Sequence, residues 1–280
     1  MTDSPTILFV LRAPIGGLFR HVVDLSAELE ARGYKTGAVA DSVTGAEAAE
    51  TIARLDAALT HGVLLTPMPR LPGSKDMSAL SAVAARARAI GAEVIHGHGA
   101  KGGLYARLAA RRTGAKSVYT PHGGSLHYRW SRPSGMAFLG AERLLMGLTD
   151  AFIFESAYGK RAFEAKVGRP SCHTAVVPNG LMPGEFEPCT SVPEAEMADI
   201  GFVGELREIK GIDILLESLR ELKSESGAPA TLVIAGSGPD GDALKALTRS
   251  MGLEGRVRFL GRQPAREVFA RSRVIAVPSR

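Results

Sequence analysis

Histidines follow two apolar runs of this sequence, at positions where they could take part in chemistry. His96 and His98 end one run, and His122 follows another in the segment Thr-Pro-His-Gly-Gly. An imidazole at the carboxyl end of a strand can hydrogen-bond a substrate hydroxyl or stabilise charge, although His122 could also simply cap a loop. Side chains two apart on a strand face the same way, so His96 and His98 could ligate a metal ion. No third or fourth ligand stands at a suitable spacing and Lys101 would repel a cation, so we expect polar groups that line a cleft.

Glycines stand where the chain leaves two predicted strands. Gly16 and Gly17 precede the first helical pattern, where open backbone N–H groups could bind a phosphate or sugar; a plain tight turn is the alternative. Gly236 and Gly238 belong to the segment Gly-Ser-Gly-Pro-Asp-Gly, which matches the dinucleotide-binding pattern literally. The next predicted strand runs into Gly261-Arg262 and lacks the acid that holds ribose in nicotinamide enzymes. We therefore expect a nucleotide or phosphate near this turn.

A charged segment follows the first strand of the second half of the chain. It reads Gly-Glu-Leu-Arg-Glu-Ile-Lys-Gly over residues 204–211. Arg207 and Lys210 stand close to a helix start and could neutralise a diphosphate together with the helix dipole. Glu205 and Glu208 could instead pair with both cations, and the charges alone leave the two interpretations open.

Apolar runs alternate with helical patterns along almost the whole chain, which predicts parallel strand–helix units. In the first part we expect strands near 6–11, 35–40, 63–66, 93–97, 117–120, 151–154 and 174–177. A helix over 76–90 should bury one stripe of apolar residues, which are Met77, Leu80, Val83, Ala87 and Ile90.

Residues 182–198 interrupt this alternation with prolines and acidic residues, which indicates a linker between domains over 1–181 and 199–280. Beyond it we expect strands over 200–203, 231–235, 257–260 and 274–277 and helices over 212–222, 241–251 and 265–272. In a doubly wound sheet a loop and a covering helix should follow the last strand. Because the sequence stops at Arg280, we expect an incomplete second domain.

Composition is typical of a soluble globular protein. Of 280 residues, 45% are hydrophobic and 22% are charged, which excludes a disordered chain, a collagen and a coiled coil. The two cysteines, Cys172 and Cys189, are too few for a disulfide framework. The N-terminus lacks the features of a signal peptide and no apolar stretch is long enough to span a bilayer. We therefore expect a cytoplasmic protein.

Positive charge is concentrated between Arg86 and Arg132. This segment holds nine Lys and Arg residues and a single acid, Glu93. An anionic membrane surface that carries a lipid-linked acceptor is the partner we favour, since Trp130 and other apolar residues lie beside the cluster. A solvated helix face over 107–112 is the alternative. Nucleic acid is not expected, because the segment has no recognised nucleic-acid motif.

These motifs in this order resemble the retaining glycosyltransferases of the GT-B fold, specifically family 4 (glycosyltransferase group 1). The matching segments are Gly16-Gly-Leu-Phe-Arg-His21, His96-Gly-His98, Thr120-Pro-His122-Gly, Phe154-Glu-Ser156, Val177-Pro-Asn179-Gly180, Gly201-Phe-Val-Gly204, Lys210-Gly211, Ala235-Gly-Ser-Gly238-Pro and Pro278-Ser279. They cover nearly the whole chain and are specific for the family, but they say little about which sugar is moved.

The resemblance implies two Rossmann-like α/β domains that face each other across a cleft, the first for the acceptor and the second for most of the nucleotide-sugar donor. It implies catalytic roles for His122, on the transferred sugar, and Lys210, on the diphosphate. The other donor-binding positions would be Gly16, Gly17, Gly204, Arg207, Gly236 and Gly238, and those of the acceptor side or cleft would be His21, His98, Lys101 and Asn179. No metal or cofactor is expected.

Two departures from the family pattern affect the expected activity. Glu205 stands where the family usually has an arginine, which leaves Arg207 as a substitute. A Glu-x7-Glu pair normally follows the Pro278-Ser279 turn, and the sequence ends before it, so we expect little turnover from this chain. The expected reaction moves a hexose to a saccharide or lipid-linked acceptor in polysaccharide or glycolipid biosynthesis. The alternatives are a noncatalytic sugar- or nucleotide-binding remnant, a sugar-nucleotide 2-epimerase of the same fold and, more distantly, a nicotinamide oxidoreductase.

Overall fold

Strands and helices alternate along both parts of the chain. The computed structural model describes residues 4–12, 16–42, 49–69, 71–190 and 192–280. The chain divides into two units, and the boundary between them falls between Met182 and Pro183.

Seven parallel strands form the sheet of the first unit. They are β1 (Thr6–Leu11), β2 (Lys35–Asp41), β3 (Val63–Thr66), β4 (Val94–His98), β5 (Lys116–Thr120), β6 (Ala151–Phe154) and β7 (His173–Val176). Their order is β3-β2-β1-β4-β5-β6-β7, so the direction in which the sheet grows reverses between β1 and β4. In open sheets of this kind, ligands bind outside the carboxyl ends of the strands at such a switch point.

Helices cover both faces of this sheet. Those in the described residues are α1 (Gly16–Ala31), α2 (Ala49–Ala58), α3 (Lys75–Ala89), α4 (Gly99–Thr113), α5 (Pro133–Met146) and α6 (Ala157–Lys166). On one face Val83 of α3 and Ala106 of α4 are buried against β1 and β4, and on the other Val22 of α1 and Leu55 of α2 are buried. None of the described helices is long and apolar enough to cross a membrane.

Glycines let α4 approach the sheet at backbone distance. A Cβ at Gly102 would overlap the carbonyl oxygen of Val10 in β1, and a Cβ at Gly103 would overlap the ring of Tyr119 in β5. The first turn of α4 begins directly after His98, the last residue of β4, and this close contact holds that turn against the sheet.

Two residues on the helices lie where the sequence patterns did not place them. Met77 is 58% exposed, so the apolar stripe predicted for α3 is wrong at that position; Leu80, Val83 and Ala87 are buried as expected. Arg107 is 0% exposed, because its Nη2 donates to Glu142 Oε2 at 2.9 Å. It therefore belongs neither to a solvated helix face nor to a membrane-facing cluster.

The second unit repeats the same topology with four parallel strands. Its elements are β8 (Ala198–Val203), α7 (Ile212–Leu219), β9 (Leu232–Ala235), α8 (Gly241–Ser250), β10 (Val257–Gly261), α9 (Ala265–Ala270) and β11 (Ser272–Ile275). The strand order is β10-β9-β8-β11, so the switch point lies between β8 and β11. Leu216, Leu219, Leu232 and Ile234 form the centre of its core.

The last strand begins two residues before its predicted start. Ser272 pairs with Ala198 and packs so closely against Gly201 that a Cβ on that glycine would overlap the Ser272 hydroxyl. A strand that opens with a buried serine and an arginine gives no apolar signal at its start, which explains the displacement.

The proline-rich segment before β8 belongs to the second unit and packs against α9. Arg266 of α9 donates hydrogen bonds to four of its backbone carbonyls, those of Gly184, Glu185, Glu187 and Pro188. Short 3-10 helices occur at Pro183–Glu185 and Glu194–Glu196, and β8 starts at Ala198, within the predicted linker 182–198.

Candidate active site

Three histidines meet at the switch point of the first sheet. His98 is the last residue of β4, His122 follows β5 by two residues, and His21 lies in the second turn of α1. Because β4 pairs with both β1 and β5, the register brings His98 beside Leu11 on one side and Thr120 on the other. One ring nitrogen from each of the three histidines lies within 4.8 Å of the other two.

A hydrogen-bonded chain runs from Glu155 through His122 to His98. His122 Nδ1 lies 2.8 Å from Glu155 Oε1, and His122 Nε2 lies 3.0 Å from His98 Nδ1. When neutral His122 donates its Nδ1–H to the carboxylate, its Nε2 accepts from the Nδ1–H of His98. In this arrangement His98 Nε2 is a bare acceptor, and it is buried with no hydrogen-bond partner among the described residues.

His96 has a separate role from His98, although the two rings are only 4.0 Å apart. Its Nε2 lies 2.9 Å from the hydroxyl oxygen of Thr120 at the end of β5. His96 therefore ties β4 to β5 inside the sheet, while His98 meets the other two histidines at its edge.

Burial keeps the interior histidines neutral. It lowers the pKa of His96 to about 3, assisted by the charges of His21 and His122. Burial also lowers the pKa of His98 well below its ordinary value, with further contributions from His96, His122 and His21. The pKa of His21 is lowered by burial and then by His122, against smaller opposing effects of Glu155 and Asp24.

Glu155 is the anion of this cluster. Burial alone would raise its pKa, but the hydrogen bond from His122 and backbone N–H groups outweighs that effect and keeps the pKa of Glu155 below its usual range. The carboxylate can therefore orient the His122 ring and stabilise positive charge that develops on it.

The backbone of His122 is in the left-handed region, with φ of 50°, which is costly for a residue with a side chain. The buried ion pair of Arg107 and Glu142 supports this loop. Glu142 Oε1 accepts hydrogen bonds from Ser125 at 3.1 Å and from the Tyr119 hydroxyl at 2.8 Å. Strain concentrated at one histidine, held by a buried network, is typical of functional sites.

Lys101, predicted for the acceptor side or cleft, is paired. Its Nζ donates to Asp76 Oδ1 at 2.5 Å, and the Tyr105 hydroxyl donates to the same oxygen. Asp76 of α3 thus neutralises the charge of Lys101, and the Lys101 side chain is only 10% exposed.

The remaining predicted residues of the first unit are exposed. Gly16 and Gly17 open α1, and a Cβ at either would meet no other described atom, although Gly16 has φ of 75°. Packing therefore does not explain glycine at Gly17. Asn179 lies three residues after β7, and no described residue hydrogen-bonds its side chain.

In the second unit, glycines join the loops that follow β8 and β9. A Cβ at Gly236 would overlap the carbonyl oxygen of Gly204, and a Cβ at Gly238 would overlap that of Leu206. The two loops are also joined by a hydrogen bond from Leu206 N to Ser237 O at 3.1 Å. Close packing of these loops therefore accounts for both glycines of the dinucleotide-like pattern.

The two cations of this region differ in their environments. Arg207 Nη2 lies 2.9 Å from Glu205 Oε1, so the local ion pair that the sequence allowed between these two residues is present. Lys210 ends a 3-10 helix, Glu208–Lys210, just before α7, and its Nζ has no partner among the described residues. Lys210 is therefore the better placed of the two to bind an anion.

Comparison with known proteins identifies the family. Residues 15–183 match the family described as Glycosyltransferase Family 4, and residues 198–280 match the one described as Glycosyl transferases group 1. The chain belongs to glycosyltransferase family 4.

Relatives of this family 4 chain include two D-inositol 3-phosphate glycosyltransferases. The one from Rhodococcus erythropolis is 28% identical over 208 residues, which cover 66% of this chain and 47% of the relative. The one from Corynebacterium diphtheriae is 38% identical over 88 residues, 29% of this chain and 21% of the relative. The gpi3 subunit of a phosphatidylinositol N-acetylglucosaminyltransferase from Schizosaccharomyces pombe is 26% identical over 192 residues, 67% of this chain and 41% of that protein. The matches thus span less than half the length of these relatives.

Solved structures share the fold of this family 4 chain. HepE from Anabaena, in complex with UDP and glucose, has a TM-score of 0.77 at 19% identity, covering 98% of this chain and 74% of HepE. Sucrose-phosphate synthase from Thermosynechococcus elongatus has a TM-score of 0.74 at 17% identity, covering 98% and 75%. The predicted α/β fold with two Rossmann-like sheets is confirmed.

Sequence reasoning assigned no role to three acidic residues of this family 4 site, although Glu155 stands in one of the matching segments. Glu155 directly follows β6, as His122 and His98 stand at the ends of their strands, and that position was the available signal. Asp76 and Glu142 lie within helices, where an acid looks solvated. Their partners, Lys101 and Arg107, lie 25 and 35 residues away in sequence.

Proposed function

We propose that this chain transfers a hexose from a nucleoside-diphosphate sugar to a hydroxyl of a saccharide or lipid-linked acceptor, with retention of anomeric configuration. The observation that carries the proposal is the placement of His122, which Glu155 holds at the switch point of the first sheet. Membership of glycosyltransferase family 4 gives the class of reaction.

His122 would act on the transferred sugar. Its Nε2 accepts a hydrogen bond from His98 in the arrangement described above, and a sugar hydroxyl would replace His98 as the donor. Positive charge develops on a sugar ring as its bond to the leaving group breaks. The Glu155 carboxylate behind the imidazole favours that charge, and it is already oriented before the substrate binds.

Lys210 would bind the diphosphate that leaves. Its ammonium group is not committed to a carboxylate among the described residues, whereas the charge of Arg207 is compensated by Glu205. Negative charge grows on the leaving diphosphate, so a lysine there stabilises the transition state more than the ground state. We propose that these groups suffice and that no metal ion is required for transfer.

The names of the relatives suggest the first substrates to test. HepE was crystallised with UDP, with UDP and glucose, and with UDP-glucose. The named acceptors among the relatives are inositol 3-phosphate and phosphatidylinositol. We therefore propose a UDP-sugar as donor and a phosphorylated polyol, free or attached to lipid, as the acceptor class.

The decisive experiment combines donor binding and turnover. UDP, UDP-glucose and UDP-N-acetylglucosamine are titrated into the purified chain by calorimetry, and UDP release is followed with and without inositol 3-phosphate or phosphatidylinositol. Lys210→Ala should weaken UDP binding about tenfold or more, since a charged hydrogen bond contributes about 1.5–3 kcal/mol. Lys245→Ala, which removes a lysine of α8 that pairs with Asp242, is the matched control and should leave binding unchanged.

The products distinguish the proposal from its rivals. Acceptor-dependent UDP release, with a product whose anomeric configuration by NMR equals that of the donor, supports it. UDP release with an epimerised free sugar and no use of acceptor indicates a 2-epimerase. Donor binding without turnover under any acceptor indicates a binding protein, and absence of binding to all three nucleotides contradicts the proposal.

A further inference from the structure

The three-histidine cluster has the composition of a transition-metal site. Imidazole nitrogens bind Zn²⁺ at about 2.0–2.1 Å, which places two ligand nitrogens about 3.3 Å apart in a tetrahedron. His98 Nδ1 and His122 Nε2 are already 3.0 Å apart. The nitrogens of all three histidines lie within 4.8 Å, and His21 is on the partly exposed side of α1, where its ring can turn. Closing the widest of these separations, which is at most 4.8 Å, to about 3.3 Å is an adjustment of about 1.5 Å or less and completes three ligands.

We propose that His21, His98 and His122 bind a divalent transition-metal ion, such as Zn²⁺ or Co²⁺, through three imidazoles with the remaining position open to water. The ion is not a cofactor of transfer. The ion competes with the transferred sugar for His122 and therefore inhibits the proposed reaction.

The charges around the cluster favour a cation. Lys101, the nearest lysine in sequence, has its charge paired with Asp76 and so exerts little repulsion. Glu155 supplies negative charge and takes the other nitrogen of His122, as the outer carboxylate does for many metal-binding histidines.

Metal binding can replace the hydrogen bond between His98 and His122, because the proton of that bond can move to the other nitrogen of the His98 ring. The proton on His98 Nδ1 moves to Nε2 of the same ring, so the ring stays neutral while Nδ1 turns its lone pair to the ion. His98 Nε2 is free to take the proton, because it has no partner among the described residues. His21 and His122 are partly exposed, which gives the ion a path from solvent.

Binding is measured with the metal alone, so the result does not depend on the proposed transfer. Zn²⁺ is titrated calorimetrically into the chain, and Co²⁺ is followed by the visible bands that a tetrahedral Co²⁺ site produces. We expect one ion per chain. Glu155→Gln should weaken binding about 10–100-fold, the usual effect of removing an outer-shell partner, and His21→Ala and His122→Asn should weaken it more.

Matched controls separate the cluster from other histidines. His173→Ala removes an exposed histidine on β7 and His127→Ala an exposed one five residues after His122 in the same loop, and both should leave the affinity unchanged. Asparagine tolerates the left-handed backbone at His122, and circular dichroism checks the fold. If His122→Asn fails to fold, His21→Ala on the helix surface decides alone. Equal affinity in the parent and the folded variants, or no tetrahedral Co²⁺ spectrum in the parent, overturns the proposal.

Discussion

His122 adopts a backbone conformation that glycine favours and that asparagine tolerates better than most other residues. We therefore expect His122→Asn to keep the loop folded while removing the imidazole. Both His122 and Lys210 are proposed to act where charge appears in the transition state. Turnover of His122→Asn and of Lys210→Ala should then fall about 100-fold, with a smaller change in the donor Michaelis constant.

Steady-state kinetics with a saturating acceptor measure this split. His127→Asn, which changes an exposed histidine five residues along the same loop, is the control and should keep parental turnover. If a variant raises only the donor Michaelis constant, the residue binds the donor equally well in the ground state and in the transition state and does not contribute to turnover.

For individual residues, the sequence predicted which side chains belong to the site better than it predicted which residues they contact. His98 and His122 were found because both stand at strand ends, a position that the apolar runs reveal. His21 came only from the family resemblance, since its place beside His98 depends on how α1 packs against β1. Arg107 was wrongly predicted to be exposed, because the sequence from 107 to 112 shows three arginines on a helix but does not show which of them is buried. The buried partner of Arg107 is Glu142, which lies on another helix.

At the level of elements, Glu30 links the end of α1 to the start of β2 and to the loop after α2. Its carboxylate accepts hydrogen bonds from the backbone and hydroxyl groups of both Thr36 and Thr60, at 2.7–2.9 Å. Burial raises the pKa of Glu30, but these hydrogen bonds outweigh it and lower the pKa below its ordinary value.

Protonation of Glu30 should destabilise the fold in acid. With the folded pKa below the unfolded value, the unfolded state binds more protons, so this stabilisation is present above pH 4.5 and is lost as the pH falls through the folded pKa. Urea unfolding of the parent and Glu30→Gln at pH 6.5 and pH 3.5 measures it. We expect a smaller loss on acidification in the variant, whereas Glu28→Gln, on the exposed face of α1, should behave as the parent does.

The loops after β8 and β9 make a second test at this scale. Gly236→Ala and Gly238→Ala each force a methyl group into the backbone of the Gly204–Leu206 loop. Overpacking of this kind costs about 1–3 kcal/mol, and Gly236 adds strain because its φ is 143°. We expect the thermal midpoint of the second unit to fall by about 5–15 °C.

Gly255→Ala is the comparison for these variants. A Cβ at Gly255 meets no described atom and its φ is not positive, so its midpoint should stay near that of the parent. If Gly236→Ala is equally harmless, the two loops can separate without cost and their tight packing does not stabilise the unit.

The alternation of strands and helices was largely predictable, because strands buried on both faces read as continuous apolar runs. Element ends were less so. Ser272 opens β11 although serine and the following Arg273 resemble a turn, and the pairing with β8 sets that boundary. Similarly, Met77 continues the apolar stripe of α3 in the sequence but is exposed in the structure.

For the whole molecule, the distribution of charge favours one surface for membrane contact. Arg129, Trp130 and Arg132 are exposed in the loop before α5, and Met136 and Leu144 are exposed on α5 itself. Each basic residue near an anionic bilayer contributes about 1 kcal/mol. We propose that this surface lies on a membrane that carries the acceptor, with Arg107 excluded because it is buried.

Co-sedimentation with vesicles tests that surface. Binding should rise with the fraction of anionic lipid and fall with salt, since charges are screened over about 8–10 Å at physiological ionic strength. Arg129→Glu/Arg132→Glu should reduce binding about tenfold or more. Lys245→Glu/Arg249→Glu makes the same change of net charge on α8 and should have little effect. Equal loss in both double variants would point to net charge alone, and no sedimentation of the parent at low salt would contradict membrane contact.

The order in which the strands are synthesised has a consequence for when the site appears. β1 lies inside its sheet, yet β2 and β3 are made next and cover only one of its edges; β4 closes the other edge only after β2, β3 and the helices between them have been made. His21 belongs to the early half, and His98, His122 and Glu155 belong to the late half. The cluster therefore forms only when β4 and β5 have joined the part of the sheet that contains β1, so binding of the proposed Zn²⁺ ion would report that both parts of the sheet are assembled.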